Sequence, residues 1–339
     1  MRRQVYIRPG RYSREMNVPA VAAIGASLLV LAGCGAPRPP VRLPASEAAP
    51  ALAGELRVGV AGAGGPEIRR VPLEEYVEAA ILSEFAPASG TPHDVARMFE
   101  LQAVLARTFA VAHRGRHRSE GFDLCAATHC QLYEAERLST SRWREAARGA
   151  ARRTAGEILW HDASPAQALF HADCGGHTSA PAEVWPAGAT LPYLRALADG
   201  GPAGQAHSTW EYEIGNGLML RALEADPRTR MGGRLSDIRV RARDTAGRAR
   251  RVTLQGARGV EIPGEVLREV LVRAFGPRSI RSTLFEVRKV GSGWRFSGRG
   301  FGHGVGLCQA GAYARIRAGD PPAAVLAIYY PGAIRVRLR

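Results

Sequence analysis

Lysine is almost missing from this chain. Of 46 basic residues only Lys289 is a lysine, so a formal charge of +15 over 339 residues rests on arginine. No basic run is interleaved with aromatics in the way a strand-binding groove requires, which argues against a nucleic acid as partner. The charge suits attraction to an anionic polymer or membrane surface. No HExxH pair occurs and no common zinc-finger spacing, which removes the simplest metal-enzyme readings. The glycines around His303 lack the strand–helix context and the later acid that a dinucleotide loop needs. The apolar run at residues 18–33 falls short of the ~20 residues of a transmembrane helix.

That run, VPAVAAIGASLLVLAG, follows Arg-rich residues 2–14 and ends in Leu31-Ala32-Gly33-Cys34. Residues 1–34 read as a lipoprotein signal peptide with a lipobox and are set aside from fold reasoning. Lipidation of Cys34 and cleavage before it are expected; an ordinary signal peptide with a chance cysteine is the alternative, and Met16 is an alternative start. Residues 35–53 are rich in proline and alanine and read as a tether. The expected address is extracytoplasmic, at the periplasm or cell envelope, held to the membrane by a lipid anchor. Residues 54–339 are long enough for a real core and are read as one domain.

Residues 71–133 carry most of the chemistry. In VPLEEYVEAAILSEF, Tyr76, Val77, Ala80 and Ile81 form a helical apolar stripe opposite Glu74, Glu75 and Glu78. Glu84 breaks the pattern, because it falls on the apolar stripe. It is either a solvated helix-end residue or a carboxylate in a partly dry site, where dryness raises its pKa toward that of a general acid. Thr91, Pro92 and Asp94 open the next helix with a capping box. Met98, Leu101, Leu105, Thr108 and Ala112 share one side of it. Gln102 and Arg107 are polar residues within it, and surface polarity is their simple reading. Residues 141–153 read as a short exposed helix.

With Cys34 lipidated, Cys125, Cys130, Cys174 and Cys308 remain. In an oxidising compartment they suffice for two disulfides. Cys125 and Cys130 stand among His117 and His129, and Cys174 lies between His171 and His177; thiolate and imidazole together suit zinc. For Cys125 and Cys130, zinc, a mutual disulfide and free thiols all stay open on the residues alone. Trp185 beside a polar turn can stack on a sugar or fill a core. Residues 199–295 alternate like strands around one helix and read as scaffold.

Four blocks then agree in order with one family. VPLEEYVEAAILSEF with ELQAVLARTFAVA, FDLCAATHCQLY, FHADCGGHTSAPAEVWPAG and GRGFGHGVGLCQAGAYARIRAGDPPAAVLAIYYPG resemble the SpoIID/LytB domain over roughly residues 55–337. The resemblance implies an α+β fold, a single SpoIID-like domain of mixed short strands and helices around a cleft. It implies peptidoglycan glycan strands as substrate and lytic transglycosylation as reaction, with Glu84 as the single acid/base. A two-carboxylate hydrolase would need a second acid, for which Glu183 and Asp173 are available but unassigned. Arg107, Gln131, Tyr133, His171, His177, His303 and Gln309 match family positions expected to bind substrate. Zinc in some members, near the cysteine-containing stretch, implies a structural site of Cys125 and Cys130 with His117, His129 being the substitute. Cys308 stands where the family usually carries serine or threonine. The same resemblance covers amidase enhancers, so a wall-binding regulator with a cell-wall amidase as partner is the alternative to an enzyme. A zinc peptidase is a third reading.

Overall fold

The computed structural model describes residues 54–62, 65–185, 190–200 and 207–338. Cys34, the leader and the tether lie outside these residues. Strands β1 (Glu55–Gly62) and β2 (Gly65–Pro72) pair antiparallel along their full length. β2 runs straight into helix α1 (Leu73–Glu84), with Pro72 at its N-cap. Helix α2 (Pro92–Ala112) starts at the expected capping box: Asp94 N–H donates to Thr91 Oγ1, and Thr91 N–H donates to the Asp94 carboxylate. Reciprocal caps of this kind satisfy two N–H groups that would otherwise lack partners.

α2 is the wall shared by two cores. The expected stripe of Met98, Leu101 and Leu105 enters a core with Leu307, Ala312, Val325 and Tyr329. A second set, Val95, Phe99, Ala103, Ala106 and Ala110, enters another core with Val58, Tyr76, Val77, Ile81 and Ala147. A helix that is apolar on two sides must be covered on two sides. This burial corrects the surface reading of Gln102 and Arg107, which are 1% and 0% exposed. The Arg107 guanidinium spends all five of its N–H groups inside the fold. Nε and Nη2 donate to the Glu74 carboxylate at 2.8 and 2.6 Å; the remaining bonds go to the carbonyls of Ala103, Glu157 and Ala151. Replacing Arg107 by methionine strands those acceptors. Stability should fall by about 1–3 kcal/mol, the cost of leaving buried acceptors unpaired, and lysine should not rescue it, because one ammonium cannot reproduce the fork. Denaturant unfolding of the two variants checks this.

Strand β3 (Leu124–Cys125) adds in parallel to β1. Helices α3 (Arg137–Thr140) and α4 (Arg144–Arg153) follow. α4 is not the exposed helix expected: Ala147, Ala150 and Ala151 are buried in the core that holds α1 and α2. Their small side chains let the backbones approach, while the arginines stay on the wet face. Strand β4 (Glu157–His161) pairs with β5 (Ser164–Pro165) and with the last strand, β14 (Ile334–Arg337).

Strand β6 (Phe170–His171) and helix α5 (Pro181–Val184) precede a second structural region. It comprises β7 (Thr209–Gly215), α6 (Asn216–Ala225), β8 (Asp237–Arg243), β9 (Ala249–Gln255), β10 (Gly259–Pro263), α7 (Gly264–Phe275), β11 (Phe285–Val290) and β12 (Gly293–Arg299). Its sheets have the orders β10-β9-β8 and β11-β12-β7. Trp210, Met219, Leu223, Val252, Leu267, Leu271, Trp294 and Phe296 give it a core of its own. The chain then returns: β13 (Leu307–Cys308) pairs in parallel with β6, and helices α8 (Gln309–Arg317) and α9 (Pro322–Tyr329) pack on α2. Segregated helices and small sheets make the fold α+β.

Candidate active site

Glu84 is the last residue of α1, half-buried rather than frayed into solvent. One carboxylate oxygen accepts the Leu132 N–H at 2.6 Å; the other makes no hydrogen bond among the described residues. Burial pushes the Glu84 carboxyl up to about 7; the Leu132 N–H opposes this and the nearby charge of Glu134 adds to it. Its place at the negative end of a helix acts in the same direction as burial. A carboxyl raised this far lies in the range a general acid needs near neutral pH.

Residues 130–134 dock on the end of α1 through three further contacts. Glu134 N–H donates to Ser83 Oγ at 3.0 Å, the Tyr76 hydroxyl donates to Gln131 Oε1 at 3.1 Å, and Tyr133 stacks on Tyr76 at 5.5 Å. Gln131 and Tyr133 are therefore buried supports of the acid's loop, where the sequence reading had them binding substrate. Arg107 is placed elsewhere. It is bonded to Glu74 at the other end of α1, ten residues or about 15 Å along the helix axis, with no N–H to spare. A cavity of about 590 Å³ lies at that same distant end, lined by Pro72, Leu73, Glu74, Gly156 and Leu338.

The His171 and His303 blocks do come together. Asp173 pairs with Phe301 and Ser179 with Val305, so residues 171–179 and 300–306 run side by side. The rings of His171 and His303 are 5.5 Å apart, and Trp185 lies 5.2 Å from His303. Burial and neighbouring positive charge hold both imidazoles well below their usual range, so they act here as neutral groups. His177 turns its Nδ1 to the Thr178 carbonyl at 2.6 Å. Gln309 joins the two halves: its side-chain N–H donates to the Glu84 carbonyl at 3.3 Å. It follows directly on Cys308, which sits opposite His171 in the β6–β13 pair.

Neither candidate second acid is available. Asp173 is buried, yet N–H groups of Gly175 and Ser208 together with His207 outweigh the burial and hold it below the usual carboxylate range. Glu183 caps α5 by accepting the Ala180 N–H and also accepts from Thr245. Glu134, which sequence reading passed over, is paired with Arg137.

Behind the Glu84 loop, His117, Cys125, His129 and Cys130 offer four ligand atoms within 4.8 Å of one another. Cys130 Sγ lies 3.4 Å from His117 Nε2 and 3.9 Å from His129 Nδ1, and Cys125 Sγ lies 3.8 Å from His129 Nδ1. Cys125, Cys130, Cys174 and Cys308 are all unbridged in the structure. His117 Nδ1 faces the Glu120 carboxylate at 2.5 Å, which leaves Nε2 for the cluster. A carboxylate behind an imidazole is how proteins orient a metal-bound histidine. Two thiols and two imidazoles fit a closed tetrahedral zinc site, for which His117 and His129 are both within reach.

An α+β chain with a half-buried helix-end carboxylate and a Cys/His cluster behind it thus defines the site. Residues 63–161, which hold both features, match the family described as Stage II sporulation protein, which supports a SpoIID-family assignment. Residues 204–306 match a domain of unknown function (DUF8618), in agreement with the separate core found there. An uncharacterised protein of Brachyspira hyodysenteriae is 27% identical over 78% of this chain and 67% of its own length. Stage II sporulation protein D of Bacillus subtilis is 25% identical over 85% of this chain and 82% of its own. The amidase enhancer of Bacillus subtilis is 25% identical over 68% of this chain, which spans only 37% of that relative.

Proposed function

We propose that this protein acts outside the cytoplasm on peptidoglycan, as a lytic transglycosylase anchored by lipid at Cys34. The observation that carries the reading is Glu84: a single carboxylic acid with its pKa near 7, one oxygen fixed by the Leu132 N–H and the other unengaged. Glu84 would protonate the glycosidic oxygen as the bond from muramic acid breaks. The resulting carboxylate would then take the proton of the same sugar's C6 hydroxyl as that oxygen closes a 1,6-anhydro ring. This route needs one carboxylate, whereas hydrolysis by two needs a partner across the sugar, and Asp173 and Glu183 are engaged elsewhere. His303, Trp185 and His177 are half-buried, Trp185 and His303 lie side by side, and these three are the proposed sugar contacts. The Cys/His cluster would hold a structural zinc that fixes residues 130–134 against Glu84.

The relationship to an amidase enhancer supports a second reading, a wall-binding regulator that cuts nothing itself and works with a separate amidase. Purified protein incubated with intact and with amidase-stripped peptidoglycan separates them. Mass spectrometry should find 1,6-anhydro ends. Reducing ends would mean hydrolysis, and sedimentation with the wall without any product would favour the regulator.

A further inference from the structure

We propose that Cys174 and Cys308 form a disulfide that locks together the two ends of the segment carrying the second core. Both cysteines are fully buried. Their sulfurs, with a ring nitrogen of His171, lie within 4.8 Å of one another. The Cys174 N–H donates to Cys308 Sγ at 3.2 Å, so the Cys308 side chain lies directly against the Cys174 backbone. Main-chain bonds hold them there: Cys308 pairs beside His171, Ala310 N–H donates to the Ala172 carbonyl at 3.0 Å, and Asp173 pairs with Phe301. Bond formation brings the sulfurs to about 2.05 Å.

The surroundings favour a disulfide over a second metal site. Among the described residues His171, Cys174 and Cys308 converge, and Cys174 also belongs to a second trio with Asp173 and His207; Asp173 is engaged by His207, Gly175 and Ser208. Asp199 lies 3.5 Å from Cys174 Sγ and accepts from the Tyr329 hydroxyl at 2.8 Å, with Arg315 3.5 Å from its other oxygen. Its negative charge also disfavours thiolates at this place. Cys125 and Cys130 differ, since two histidines face them and they lie nearer the surface. Because Cys174 and Cys308 are closed off in the folded chain, the bond forms during folding. One thiolate attacks an external disulfide donor, and the second cysteine displaces the donor from the mixed disulfide. The donor leaves as two thiols carrying both protons, so the pair is oxidised as the donor is reduced.

The bond would close a loop over residues 175–307. It would also fix the N-terminus of α8, where Cys308 Sγ accepts the Gly311 N–H at 3.3 Å and the next residue reaches the Glu84 carbonyl. The inference rests on the extracytoplasmic address proposed above, and the test keeps the two apart. Full-length protein is recovered from the cell envelope and, separately, refolded with oxidised glutathione. Each sample is alkylated under denaturing, non-reducing conditions and digested. A peptide pair joining Cys174 to Cys308 is expected in both, two hydrogens lighter than the reduced pair. Alkylated Cys174 and Cys308 in both samples would overturn the proposal, as would pairing of either with Cys125 or Cys130. A bond in the refolded sample alone would uphold the pairing and overturn the address. Cys308→Ser retains an acceptor for the Gly311 N–H. Its midpoint should nevertheless fall by roughly 10 °C relative to unreduced wild type, and reductant should abolish most of that difference. An unreduced variant as stable as wild type would also overturn the proposal.

Discussion

Glu84→Gln should lower production of anhydro-ended sugars by about 10²–10⁴-fold, the usual contribution of a positioned general acid, while the protein still sediments with the wall. Glutamine keeps an oxygen to accept the Leu132 N–H, so the loop at 130–134 should stay docked and the loss belongs to the proton. The pH dependence has a definite sign. Burial raises Glu84 to about 7 in the fold. The acid is therefore loaded below that pH, and the rate of bond cleavage should fall as pH rises through it. Stability carries the same signature. A carboxyl whose folded pKa lies above its unfolded value near 4.5 destabilises the fold progressively between those two values, and the cost is fully present above about 7. Glu84→Gln has no such group. It should be more stable than wild type at pH 8, by on the order of a few kcal/mol, with the gap closing toward pH 4. Thermal melts of both proteins across that range check it, and parallel curves would refute the buried-acid reading.

Stripping the metal should be the most damaging change to the fold around Glu84. Elemental analysis should find one zinc per chain, lost in Cys130→Ser. Structural zinc contributes about 10–16 kcal/mol in small zinc-finger peptides. The loop it would hold here donates Leu132 N–H to Glu84 and Glu134 N–H to Ser83. Chelation should therefore release residues 117–134 to rapid amide exchange and suppress glycan cleavage, with the helices of the two larger cores still protected. Glu120→Gln should be milder, weakening zinc binding about 10–100-fold, because it removes only the carboxylate behind His117. Metal-free protein with an unchanged melting point would remove zinc from the account. Peptide products abolished by chelator would indicate a peptidase instead.

The local grammar of the chain was readable without coordinates. The capping box at Thr91 and the stripes through Tyr76 and Met98 lie where their spacing puts them, and Glu84 stood out because it sat on the wrong side of its helix. Partnerships across long separations were not readable. Arg107 finds Glu74 thirty-three residues earlier, and nothing in ELQAVLART marks that pairing. The alanines of α4 read as featureless until α1 and α2 pack against them. The donor that fixes Glu84 is the main-chain N–H of Leu132, and a backbone donor leaves no trace in side-chain pattern. Cys125, Cys130 and the two histidines were visible as candidate ligands, but only the turn at 126–130 brings all four donors together.

The joint made by Gln309 gives the molecule a built-in order of assembly. Everything the family model matches is complete by residue 161, yet the carbonyl of Glu84 and the flank of His171 are completed by residues 302–309. A second core must be laid down between them, and closing so long an excursion is a slow, late event in folding. A truncated or nascent chain thus carries its acid on a helix whose end is still unbraced. If Glu84 cleaves glycan as proposed, that chemistry would be withheld until residues 302–309 have arrived.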